Sequence, residues 1–349
     1  MRETKGSVSH IAQAIEEDLR SRNTGLQKPH IPALADLAAS VLMCRSVNTS
    51  EWRSILPRTD CSEKAKEHYI SRFLANPLIV PIRVMGGFVP EILQKLSAQG
   101  EVVVLMLDQS KVCDCFECLM VSVRFGNRAI PVAWHVKETE GAIGFLAQKL
   151  LLNAVAAMIP AGIPIMLSAD RFYGTANLIE WCQKQSWQYR IRLKNNLILT
   201  HQGGEITTGA AAAAGITSLC EAQLGKVTTN IGIIHEKGHP EPWIIAMNVK
   251  PTEARTLDYG MRWGIEALFS DFKSKGFGIT QTHLRHASRI ERLILILTIA
   301  IYWAVSAGMK PMSHASQGTP KKKTALPGLF LQARIEKTPA FGLYICANS

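Results

Sequence analysis

What the chain lacks narrows the choices first. No hydrophobic run is long enough to cross a bilayer: the most apolar stretch, Leu293–Val305, falls short of the about 20 residues a span needs and is entered through Arg285, Arg289 and Arg292. It reads as a helix buried in a large core. No recognisable signal peptide opens the sequence, and its eight cysteines are scattered. Both observations fit reduced thiols in a cytosolic compartment better than a disulfide framework. Cys113, Cys115 and Cys118 form a C-x-C-x-x-C cluster, but no second pair of Cys or His follows at a structural-zinc spacing, so the cluster reads as packing. His135, His235 and His239 likewise show no ligand spacing.

Acidic charge is also scarce, and unevenly so. Of the net charge of +11, residues 259–349 alone hold +8, with 12 Lys+Arg against 4 Asp+Glu. A basic excess confined to one part of a chain is an electrostatic footprint for a polyanion, or else a solubilising tail. A length of 349 residues suggests two or three units able to bury a core.

The organisation follows from periodicity. Residues 1–100 read as a helical module, with candidates at Ile11–Leu19, Ala33–Cys44 and Ser62–Leu74. Thr49 or Ser50, and Asp60 or Ser62, are candidate N-caps. The pattern changes at Glu101: Val102–Leu107 is a continuous apolar run that stops at Asp108, as a buried strand would. Phe116–Phe125 and Arg128–Val136, joined by the turn signal Gly126-Asn127, extend it into an antiparallel meander. A helix over about Gly141–Met158, a strand Ile163–Ala169 ending at Asp170, a helix over about Thr175–Gln185 and a strand Trp187–Leu193 complete a β-β-β-α-β-α-β order. Right-handed crossovers bring Asp108 and Asp170 to one end of one sheet. The expected fold class is therefore α/β, with a ribonuclease-H-like mixed sheet over residues 101–194 and 251–309. A β-rich insertion (195–250), a helical N-terminal region (1–100) and a basic tail (310–349) surround it.

Aspartates at strand ends commonly cap the next helix, so the third acid decides. On a continuous helix Tyr259, Arg262, Glu266 and Lys273 fall within about 60° of one another. Alone, such a stripe could be a solvated face with an i,i+4 pair between Arg262 and Glu266, worth a few tenths of a kcal/mol. Placed behind two strand-end aspartates, the pattern Y-x2-R-x3-E-x6-K resembles the signature of DDE transposases of the insertion-sequence-4 family. The resemblance covers roughly Glu101 to Ala307, including Leu107-Asp108-Gln109-Ser110 and Ser168-Ala169-Asp170-Arg171-Phe172-Tyr173-Gly174. It implies that Asp108, Asp170 and Glu266 are catalytic, that Tyr259, Arg262 and Lys273 contact phosphates at a transposon end, and that residues 1–100 bind DNA ends.

The chemistry accounts for the same residue types independently. Breaking a phosphodiester needs an activated attacking oxygen and a stabilised leaving oxygen, which two Mg²⁺ ions (or Mn²⁺ as a substitute) about 4 Å apart supply. Such hard ions want carboxylates. Asp108 would bridge the two, with Asp170 and Glu266 each completing one shell. Arg suits phosphate bidentately and Lys as a point charge. Arg190, Arg192 and Lys194 alternate along a strand and face either DNA or solvent. Trp243 reads as a packed strand residue rather than a base-stacking one.

The expected function is cleavage of transposon ends and strand transfer into target double-stranded DNA, in a bacterial cytoplasm and on the nucleoid. The alternatives are a related nuclease or resolvase and a silent DNA-binding derivative. Joining two ends demands a homodimer on DNA, with the N-terminal helices or the tail cluster Leu326–Leu331 as the contact.

Overall fold

A computed structural model describes residues 2–235, 241–273 and 276–309. Six helices come first: α1 (Arg2–Ser21), α2 (His30–Cys44), α3 (Thr49–Ile55), α4 (Glu63–Ala75), α5 (Pro81–Gly86) and α6 (Val89–Leu96). Local chemistry sets their starts. Asn48 caps α3 by accepting from the Ser50 amide, and Ser62 caps α4 by accepting from the Ala65 amide. The cap of α3 is thus the residue ahead of the expected Thr49 or Ser50.

The sheet begins with β1 (Val103–Cys113), β2 (Phe116–Phe125) and β3 (Arg128–Glu138), the expected meander. Next come α7 (Phe145–Ala156), β4 (Ile165–Ala169), α8 (Ala176–Lys184) and β5 (Gln188–Arg192). β4 lies parallel to both β1 and β5. One expectation needs correcting: β1 does not stop at Asp108. Pairing with β4 ends at Leu107 and Ala169, but antiparallel pairing with β2 carries the strand on to Cys113, because only one of its two neighbours runs out.

The segment after β5 forms β6 (Ile198–His201), β7 (Gly204–Thr207), α9 (Thr208–Ala213), β8 (Ser218–Leu224), β9 (Val227–Ile234) and β10 (Trp243–Met247). β10 pairs with β5 on one side and β9 on the other, so a single ten-stranded sheet results, ordered β3-β2-β1-β4-β5-β10-β9-β8-β6-β7. This segment continues the sheet and covers the edge that β5 would otherwise expose. Then follow α10 (Glu253–Leu257), α11 (Trp263–Phe272) and α12 (Ala287–Met309).

Leu293–Val305 lies inside α12, and Leu293–Leu297 are 0–1% exposed. This helix packs against α2, itself buried at Leu34, Leu37, Ala38 and Val41, and against β3. The N-terminal helices and the sheet therefore share one continuous apolar core. Among the described residues, no helix is long and apolar enough to cross a membrane. The tail cluster Leu326–Leu331 and His239 lie outside the described residues.

Candidate active site

Strand register builds the first half of the site. Leu107 pairs with Ala169 across the parallel β1–β4 ladder, so Asp108 and Asp170 are the next residues on neighbouring strands. Residues in register on parallel strands share a face. Asp170 then leaves the ladder and caps the 3-10 turn Arg171–Tyr173, its Oδ1 accepting from the Arg171 amide at 2.6 Å. Gly174 ends that block for a steric reason. A Cβ there would collide with the Arg192 carbonyl oxygen on β5.

The second half comes from the chain around α11. The four-residue stripe is not one continuous helix: Tyr259 and Arg262 sit in a 3-10 turn, Asp258–Arg262, Glu266 lies in α11, and Lys273 is the residue after its end. The stripe survives because a 3-10 turn has three residues per turn and stacks i on i+3. Gly264 lets α11 approach β3, since a Cβ would stand 2.7 Å from the Arg128 carbonyl oxygen. Arg128 also pairs with Asp271 of α11 at 3.0 Å.

Arg262 joins the two halves. Its Nη1 donates to Asp108 Oδ2 at 2.9 Å, its Nη2 donates to Glu266 Oε1, and its Nε donates to the Tyr259 hydroxyl at 3.1 Å. Tyr259 in turn donates to Asp170 Oδ1 at 3.3 Å. Asp108 and Glu266 thus flank one guanidinium, and Asp170 is linked to it through the Tyr259 hydroxyl. Lys273 reaches the same face by donating from Nζ to Ser110 Oγ at 2.6 Å, two residues beyond Asp108 on β1. Ser110 went unassigned in the sequence, although alternation along a strand places it beside Asp108. Gln109, on the opposite face, holds the loop ahead of α7 through Gly141 O and the Ile143 amide.

Burial sets the electrostatics. Burial pushes the Asp108 carboxyl up to about 6, against the pull of Arg262 and the Gln109 amide and with help from Asp170 and Glu266. The Tyr259 phenol is pushed up to about 12, chiefly by burial. Burial would lower the Arg262 guanidinium, yet Tyr259, Asp108, Asp170 and Glu266 together hold it above its ordinary value. Tyr173, buried beside both aspartates, is also raised by burial first. Tyr259 and Arg262 are 2% and 6% exposed, so in this state neither offers itself to a phosphate in solution.

The remaining sequence candidates differ in burial. Arg190 is buried and structural, paired with Asp258 at 3.0 Å and bonded to the Arg255 carbonyl. Arg192 is half-buried and pairs with Glu241 at 3.1 Å, an acid it shares with Arg171. Lys194 is exposed, over the Phe172 ring at 5.6 Å. Trp243 belongs to β10, as its apolar setting predicts, and makes edge contacts with Tyr259 and with Trp263, which is 54% exposed. Cys113 and Cys118 are buried thiols, and His135 pairs with Glu291 at 3.4 Å.

The mixed sheet with its flanking helices is consistent with a ribonuclease-H-like transposase domain. Residues 146–303, less than half of the chain, match the family described as "Transposase DDE domain". The matched segment includes Asp170, Tyr259, Arg262, Glu266 and Lys273 and stops short of Asp108. It supports a DDE transposase, an enzyme class that acts on DNA and generally uses divalent metal. No curated relative matches the chain.

The donor set fits hard cations, since all three acids offer carboxylate oxygens. Their present arrangement is different: among the described residues, no group of three His, Cys, Asp or Glu side chains stands ready to share an ion. The Arg262 guanidinium lies between Asp108 and Glu266.

Proposed function

We propose that the chain is a transposase of the insertion-sequence-4 type, which cleaves DNA at the ends of its own element and joins them to target DNA. One observation carries the reading. Three carboxylates from distant parts of the chain meet around one basic stripe, on neighbouring parallel strands and the helix beside them. A structural ion pair needs one acid, whereas a phosphodiester-cleaving centre needs several.

Asp108, Asp170 and Glu266 would hold two Mg²⁺ ions, which when bound would supply an activated oxygen nucleophile and a stabilised leaving oxygen. Arg262 and Lys273 would engage phosphates flanking the cut. Tyr259 would orient Asp170 through its hydroxyl. Arg192 and Lys194, with Arg171 and Phe172 beside them, would guide the DNA backbone toward the acids. Two such chains would meet on paired ends, because one set of acids engages one end at a time.

The test is cleavage of duplex DNA carrying any inverted repeats found on either side of the reading frame. Cutting and joining should require Mg²⁺ or Mn²⁺ and stop in Asp108→Asn, Asp170→Asn and Glu266→Gln, with end binding retained. Cutting without joining at any protein concentration would make the chain a nuclease. Undiminished cutting by Asp108→Asn would remove the acid assignment altogether.

A further inference from the structure

We propose that Arg262 is a bolt on the metal site that DNA itself withdraws: without DNA its guanidinium holds Asp108 and Glu266, and a DNA phosphate that takes up this guanidinium releases both carboxylates. The inference rests on the transposase reading above and concerns the order in which the same site is filled.

The geometry of Arg262 is the starting point. Its Nε, Nη1 and Nη2 are each committed, to Tyr259, Asp108 and Glu266 respectively. Bonding two carboxylates through different terminal nitrogens puts the planar cation between them. An oxygen that accepts from a guanidinium cannot at the same time face a metal in that direction, and a dication entering beside it meets charge of its own sign. Arg262 therefore stands in for an ion and keeps the acids from repelling one another.

Lys273 marks the contrast. Its ammonium donates to the neutral Ser110 hydroxyl, so moving it uncovers no acid. Two features let Arg262 move. It lies where a 3-10 turn becomes the α-helix α11, and hydrogen bonds of a 3-10 turn have poorer geometry than those of an α-helix. Glu266, with its side chain 54% exposed, opens one side of the site to solvent. A phosphate can then take the guanidinium bidentately in place of the acids. Metal and DNA binding become reciprocally linked.

Titration of the full-length protein with Mn²⁺, following loss of the free-ion electron paramagnetic resonance signal, tests this without reference to catalysis. Arg262→Ala and Arg262→Gln, both checked for folding by circular dichroism, should bind Mn²⁺ about tenfold more tightly than the wild type in the absence of DNA, within the usual range for coupled sites. Adding a short duplex DNA should raise the wild-type affinity by a similar factor and raise that of the Arg262 variants much less. General repulsion between DNA and the acids acts equally in all of them, so the difference isolates the bolt.

Unchanged or weaker Mn²⁺ binding by both Arg262 variants overturns the proposal. It leaves the metal reading standing if Asp108→Asn abolishes the wild-type binding. Binding that ignores Asp108→Asn, or no binding by any variant with or without DNA, overturns both.

Discussion

Two buried arginines, Arg292 and Arg262, show how differently the fold uses the same side chain. Arg292 of α12 is 7% exposed and donates to the main-chain carbonyls of Leu74, Ile79 and Ser288. Arg262 is 6% exposed and donates to two carboxylates and a phenol. Carbonyls cannot change charge or leave for a ligand, so Arg292 is a permanent staple between α12 and the end of α4, aided by the helix dipole at Leu74. Carboxylates can do both. The region around Arg292 is built to stay, and the region around Arg262 is built to exchange partners.

Removing each arginine should separate the two roles. Arg292→Ala leaves several buried carbonyls without donors and removes a long packed stem, which should destabilise the protein by roughly 3–5 kcal/mol at every pH from 5 to 8. Arg262→Ala should be tolerated better at pH 5 than at pH 8, because Asp108 can then take up a proton in place of its lost partner. Chemical denaturation at both pH values reads the difference. Parallel pH profiles for the two variants would erase the distinction.

Next in size is Asp108. Burial raises its folded-state value to about 6, above its ordinary value of 3.8, so the folded protein binds this proton more tightly than the unfolded chain does. Stability from that preference is present below the ordinary value and is lost as pH rises through about 6. In metal-free buffer at pH 7.5, Asp108→Asn should therefore be more stable than wild type, by on the order of 2–3 kcal/mol, with the gain gone below about pH 4. The same variant should be inactive. A less stable Asp108→Asn at pH 7.5 would mean that the Arg262 pair outweighs the burial it sits in.

A smaller effect on stability should accompany Gly264→Ala. The added methyl meets the Arg128 carbonyl and must push α11 away from β3, at about 1–3 kcal/mol. Glu266 and Lys273 ride on that helix or its end, so cleavage should fall by at least about tenfold although no polar group is touched. Wild-type cleavage by Gly264→Ala would show that α11 has slack at this contact.

Much of this could be read in advance. The apolar runs ending at Asp108 and Asp170, the Gly126-Asn127 turn and the helix through Leu293–Val305 report their burial through composition alone, because strand and helix periods are local properties. The spacing of Tyr259, Arg262, Glu266 and Lys273 held as well, even though the chain there changes from 3-10 turn to α-helix, since both forms bring residues three or four apart onto one side.

Other features had no local signal. That β1 runs on past Asp108 depends on β2 still being there to pair with it. Continuation of the sheet through the segment after β5 depends on β10 finding the open edge of β5. The helical N-terminal region carries its own caps and apolar faces, and nothing in its sequence says that α2 is buried against α12, more than two hundred residues away.

The fate of Arg262 is the sharpest case. The sequence determined that an arginine would stand four residues before the third acid, downstream of two strand-end aspartates, which is enough to propose the chemistry. Only the tertiary structure decided that this arginine faces inward, with Asp108 on one side and Glu266 on the other. Charge pairing across the fold depends on distances that the chain acquires only when β1, β4 and α11 have packed together, and burial then strengthens the pairing of Arg262 with Asp108.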